Sequence, residues 1–169
     1  MALSTKAIDP RDRLIFALDV PDVDAAKALV EELGDSVMFY KIGLELNMSG
    51  RYFELLDWLV ARGNKVFVDL KFFDVPATVA SAVSNLCGRG VTFATVHGNQ
   101  GIMEAAAEAK GDVKILAVTV LTSLDRGDLD DLGFDVDVSK LVLSRARRSL
   151  ESGCDGIIAS GLELPGLRA

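Results

Sequence analysis

Val66-Phe67-Val68-Asp69-Leu70-Lys71-Phe72-Phe73-Asp74-Val75-Pro76-Ala77-Thr78 is an apolar run that gains charge at its far end and then breaks at a proline. Val66–Leu70 has the continuous, β-branched apolar character of a parallel strand covered on both faces. Pro76 suits the first turn of a helix. Val79, Val83, Leu86 and Cys87 then recur on one helical face, and Gly88 ends the pattern. Strand, charged strand end and helix therefore form one unit.

The unit repeats in both directions. Further strands are predicted at Leu14–Leu18, Met38–Ile42, Phe93–Val96, Ile115–Leu121 and Gly156–Ala159. Amphipathic helices fit between them. The first runs from about Asp22 to Gly34, with Ala25, Ala26, Leu29, Val30 and Leu33 on its apolar face. The others are expected near Gly50–Arg62, Gly101–Lys110 and Val138–Ser152. Such alternation is the pattern of a parallel α/β domain.

Two architectures compete, the (β/α)8 barrel and the open doubly wound sheet. No G-x-G-x-x-G follows the first strand, which removes support for the dinucleotide-binding form of the open sheet. Polar residues stand at the C-terminal ends of the strands: Asp19, Lys41, Asp69 with Lys71, His97, Thr122 and Ser160. A barrel gathers such ends at one mouth. The expected fold class is α/β, a TIM (β/α)8 barrel with about six βα units present. A closed barrel of this kind has eight strands. Residues 1–169 are thus expected to form one barrel domain, incomplete at its C-terminus. A chain ending there is expected to be marginal, oligomeric or aggregated, because its edge strands are apolar.

Composition excludes several classes. The 169 residues carry a net charge of −7, and the basic residues are scattered, which argues against a nucleic-acid surface. The apolar runs are too short to span a bilayer, and Met1–Arg13 lacks the apolar segment of a signal peptide. The expected location is the cytoplasm, with no membrane partner. Cys87 and Cys154 lie far apart and without metal-ligand spacing, as buried thiols would.

The charged strand end carries the chemistry. Residues two apart on a strand share a face, so Asp69 and Lys71 are expected side by side. Lys41, at the end of the preceding strand, can join them, and Asp74 just past the strand completes an alternating cluster. Burying such charges is costly unless they are paired, and ionisable groups gathered in a cleft tend to be functional. Carboxylates flanking an ammonium favour its charged form. A fixed ammonium could stabilise negative charge developing on a substrate carbon and then protonate it. A carboxylate beside it would repel a substrate carboxylate, a contested form of ground-state destabilisation. Together these describe decarboxylation without a cofactor or metal.

Phe16-Ala17-Leu18-Asp19, Tyr40-Lys41-Ile42-Gly43, Asp69 through Thr78, Val96-His97-Gly98 and Val118-Thr119-Val120-Leu121-Thr122-Ser123 resemble, in order, the motifs of the orotidine 5′-phosphate decarboxylase family. The D-x-K-x-x-D-I/V-P-x-T segment is the most specific of them. The resemblance extends to Gly156-Ile157-Ile158-Ala159-Ser160. It implies a barrel, a homodimer with shared active sites, orotidine 5′-phosphate and UMP as ligands, and no cofactor. Carried over by motif, Asp19 and Lys41 would contact the ribose, and Asp69 would lie against the scissile carboxylate. Lys71 would protonate C6 of the pyrimidine. Asp74 and Thr78 would reach into the partner subunit's site, and Thr122 or Ser123 would touch the base. His97 is expected to pack or hydrogen-bond near the sugar rather than act as a base. The family's phosphate-gripping segments, after strands seven and eight, have no counterpart in these residues. On this reading the 169 residues by themselves would be a poor enzyme that UMP stabilises little. Two alternatives remain: a Mg-dependent sugar-phosphate decarboxylase or aldolase of the same barrel superfamily, and an inactive barrel fragment.

Overall fold

The computed structural model describes residues 7–121, 127, 131, 133, 135 and 137–167. Its centre is a six-stranded sheet: β1 (Phe16–Ala17), β2 (Phe39–Gly43), β3 (Lys65–Phe72), β4 (Val91–His97), β5 (Lys114–Val118) and β6 (Gly156–Ile158). Every neighbouring pair is parallel, and the strands lie in the order of the chain with no reversal. A doubly wound sheet reverses order at a switch point. Successive right-handed crossovers without a reversal instead put every helix on one side and curl the sheet, giving a half-barrel.

The helices form for local reasons. Asp22 caps α1 (Val23–Leu33), its carboxylate accepting the Ala25 N–H at 2.8 Å, and Gly34 ends it at φ 52°. Val23, Ala26 and Val30 are its buried stripe. α2 (Leu44–Met48) is a short helix that the sequence reading did not foresee, and α3 (Tyr52–Ala61) follows. α4 (Pro76–Ser84) opens on the proline as expected and buries Val79 and Val83. α5 (Gln100–Ala109), α6 (Val138–Glu151) and a last turn, α7 (Leu164–Leu167), complete the set. Asp137 caps α6 by accepting the Lys140 N–H at 3.0 Å.

Strand limits differ from expectation where pairing decides them. The predicted Leu14–Leu18 strand shrinks to Phe16–Ala17. Among the described residues it pairs with β2 alone, and Leu14 and Ile15 lie exposed. β5 stops at Val118 rather than Leu121: its last pair is Val118 with Ile158, and beyond it the Thr119 hydroxyl donates to the Ile158 carbonyl at 3.0 Å.

Alternation within the strands separates two environments. Tyr40, Ile42, Val66, Val68, Ala94 and Val96 are packed in the main core with Leu55, Leu59 and Met103 from the helices. Phe39, Phe67 and Phe93 fall on the opposite face. Phe93 stacks on Phe39 at 5.4 Å between centroids and meets Phe67 edge-on at 5.9 Å. One step further along the same face come Lys41, Asp69 and Thr95. The concave face is thus aromatic low down and charged at its C-terminal rim.

Candidate active site

Four charged side chains meet at that rim. Lys71 Nζ donates to Asp69 Oδ2 at 2.9 Å, and Lys41 Nζ lies 3.5 Å from the same oxygen. Lys41 Nζ also donates to Asp19 Oδ1 at 3.3 Å. Asp69 is the most enclosed, its side chain 12% exposed against 23% for Lys41 and 35% for Lys71. The row opens outward to Asp19, which is exposed. A carboxylate sunk between two ammonium groups, with one flank open to solvent, can be approached by a small anionic ligand.

The backbone at Lys71 is unusual. Register is lost between Val68 and Phe72, where β3 takes four steps against two on β4. Such a bulge bends and twists the strand. Within it Lys71 sits at φ 48°, the one described non-glycine residue with positive φ. The expected juxtaposition of Asp69 and Lys71 is present, but an irregular turn of the strand produces it.

Sequence reasoning missed Thr95. This fully buried residue of β4 donates its hydroxyl proton to Asp69 Oδ1 at 2.9 Å and accepts the Lys71 N–H at 2.9 Å. A polar residue in the otherwise apolar Phe93–Val96 run was the available signal. Tyr52 stands below, its hydroxyl donating to the Ile42 carbonyl at 3.0 Å. Burial first, and the negative Asp69 second, push its phenol well above the ordinary range.

The other candidates fall outside this cluster. Among the described residues Asp74 forms no ion pair with either lysine, and its Oδ1 accepts the Val75 N–H at 2.6 Å. Asp74 and Thr78 line an open cleft of about 350 Å³ with Asn47, Lys71 and Phe73. Phe73 and Val75 project beside it, each more than three-fifths exposed. His97 stacks on Phe73 at 4.4 Å. Burial, then Arg145 and Lys71, hold its imidazole below the ordinary value. Arg145 of α6 donates to the Thr119 carbonyl at 2.8 Å, and burial lowers its guanidinium. Gly98 after His97 is required by space: a Cβ there would lie 2.5 Å from the Val118 carbonyl oxygen. Ser160 is engaged by Glu163. Thr122 and Ser123 lie outside the described residues.

The sequence profile of the orotidine 5′-phosphate decarboxylase / HUMPS family matches residues 12–168. The chain belongs to that family. Over 166 residues it is 69% identical to the orotidine 5′-phosphate decarboxylase of Methylococcus capsulatus, which covers 98% of this chain and 69% of the relative. The enzyme of that name from Xanthomonas euvesicatoria pv. vesicatoria is 54% identical over 159 residues, 93% of this chain and 65% of its own length. The chain therefore spans about two thirds of these family members. A crystal structure of orotidine 5′-phosphate decarboxylase from Lactobacillus acidophilus superposes with a TM-score of 0.84 at 33% identity, covering 92% of this chain and 74% of that one. The Methanocaldococcus jannaschii enzyme complexed with the inhibitor BMP superposes at 0.75 with 23% identity, over 92% and 72%, and shows the same fold. Both place the curled sheet in a TIM barrel. No helix among the described residues is long and apolar enough to cross a membrane.

Proposed function

We propose that the protein decarboxylates orotidine 5′-phosphate to UMP in pyrimidine biosynthesis, in the cytoplasm, as a homodimer and without a cofactor. The observation that carries this reading is the ammonium of Lys71 held 2.9 Å from the enclosed Asp69 carboxylate at the barrel rim. In this mechanism the substrate carboxylate lies against Asp69. The bond from C6 to the carboxylate breaks, CO₂ leaves, and the electron pair stays on C6. Lys71 stabilises that charge and delivers its proton to C6, so that the products are UMP and CO₂. Solvent then returns a proton to the lysine. Asp19 and Lys41 hold the ribose. Asp74 and Thr78 stand outside the charged cluster, beside exposed Phe73 and Val75, which suits side chains that serve a partner subunit's site. Thr122 or Ser123 contacts the base.

The experiment is a decarboxylation assay with orotidine 5′-phosphate in the presence and absence of EDTA. Release of CO₂ and UMP unaffected by EDTA is expected. Turnover abolished by EDTA and restored by Mg²⁺ would instead favour the metal-dependent sugar-phosphate chemistry, and no turnover would favour the inactive barrel fragment.

A further inference from the structure

Thr95 has no exposed surface, yet it carries the buried hydroxyl nearest the charged pair. Where β3 loses register, Val68 is opposite Ala94 and Phe72 is opposite Val96. Thr95 alone therefore faces the span from Asp69 to Lys71. Its hydroxyl has one proton to give and lone pairs to share. The proton goes to Asp69 Oδ1 and a lone pair takes the Lys71 N–H, each at 2.9 Å. One side chain thus fixes the carboxylate and the backbone of the residue that carries the ammonium. It does so at the one described non-glycine position with positive φ. A residue held in a sparsely populated conformation stays there only when its surroundings over-determine it.

We infer that Thr95 is a positioning residue for the decarboxylation: it locks left-handed Lys71 to the Asp69 carboxylate, so that ammonium and carboxylate meet in one geometry before substrate arrives. This rests on the decarboxylase reading above. The hydroxyl, and not the shape of the side chain, is what the geometry uses. Valine has nearly the same outline, but it would leave both groups without their partner and free the lysine backbone to relax. The ammonium would then leave its place by a distance set by the bulge. Threonine touches no reacting atom in this account and acts through Asp69 and Lys71.

The test compares Thr95→Val with Thr95→Ser. Thr95→Val should lower kcat on the order of 10²-fold, as misplacement of a catalytic group by about 1 Å does, with KM little changed. Thr95→Ser, which keeps the hydroxyl, should stay within a few-fold of the parent. A crystal structure of Thr95→Val should show Lys71 at negative φ and its contact with Asp69 broken. Wild-type kcat in Thr95→Val, or equal losses in the valine and serine variants, overturns the inference. An unchanged Lys71–Asp69 contact in the valine variant does so as well. The crystallographic result separates this inference from the reading beneath it. If the parent protein fails to turn over orotidine 5′-phosphate while the valine variant loses the arrangement, the decarboxylase reading fails and the positioning role stands. Should Thr95→Val not fold, Thr95→Ala against Thr95→Ser decides the question by the same readouts.

Discussion

Lys71 combines a proposed catalytic role with a strained backbone, and replacing it by alanine and by glycine separates the two. Both variants lose the ammonium, so both should lose decarboxylation by about 10⁴-fold or more, the range expected when a proton donor and a charge-stabilising group vanish together. Their stabilities should differ. The ion pair with Asp69 is lost in both and cancels in the comparison. With the Lys71 side chain 35% exposed, the pair contributes no more than about 1 kcal/mol. What remains is the backbone at φ 48°. Alanine bears the left-handed cost of roughly 1–2 kcal/mol, whereas glycine bears only its extra unfolded-state entropy, roughly 0.5–1 kcal/mol. Glycine should therefore be the more stable variant by roughly 0.5–1 kcal/mol, which is about 1–4 °C in Tm for a domain of this size. The assays are thermal denaturation monitored by circular dichroism and steady-state decarboxylation. A glycine variant that melts at or below the alanine variant would show that the backbone at Lys71 is relaxed. An alanine variant with wild-type turnover would refute the proton-donor role.

Mixing Asp74→Asn chains with Lys71→Ala chains should restore part of the activity, because one of the two hybrid sites then has both residues intact; no recovery in confirmed heterodimers would place Asp74 in its own subunit's site. His97 is the chain's one histidine, so a single imidazole resonance should titrate by NMR, with its midpoint below the ordinary 6.5 because burial, Arg145 and Lys71 disfavour the charged ring. The unfolded chain then binds more protons than the folded one just below pH 6.5, so the stability due to His97 is complete above that value and declines as pH falls toward the folded midpoint; a midpoint above 6.5 would contradict this. Burial raises the Cys154 thiol to about 11 and also raises Cys87, so both should resist thiol reagents at neutral pH in the native protein and react promptly in denaturant; fast native labelling of Cys154 would show that its surroundings open.

The fold was legible because its signals are local and repeated. Apolar β-branched runs such as Val66–Val68 read as strands in any parallel sheet, and Asp22 and Pro76 announce helix starts whatever packs around them. The barrel choice rested on polar residues at strand ends, and the unreversed strand order bears it out. Strand limits were less legible because the pairing of neighbours sets them: Leu14 and Ile15 are apolar enough for a strand but have no sheet partner among the described residues. Helix α2 escaped notice because five residues without a capping side chain give no periodic signal.

At the site, the sequence pointed to a cluster of Asp69, Lys71 and Lys41, which are in contact, and concealed how they are held. Period-two alternation placed Asp69 beside Lys71, and they are in contact, yet the strand between them is not regular. The extra β3 residues opposite Thr95 push Lys71 into the left-handed region. Nothing in Asp-Leu-Lys encodes that, since neither glycine nor asparagine marks the turn. The conformation is imposed from β4, by a hydroxyl that binds the Lys71 N–H and the Asp69 carboxylate together. A regular strand would have let the two side chains choose among rotamers, each contact with the other competing against solvent. A bulge clamped by a buried hydroxyl removes that choice from the backbone of the lysine and from the carboxylate at once. The cost in strain is of order 1–3 kcal/mol, small beside the barrier lowering asked of the proposed proton donor, so on the decarboxylase reading the irregularity belongs to the chemistry of the rim.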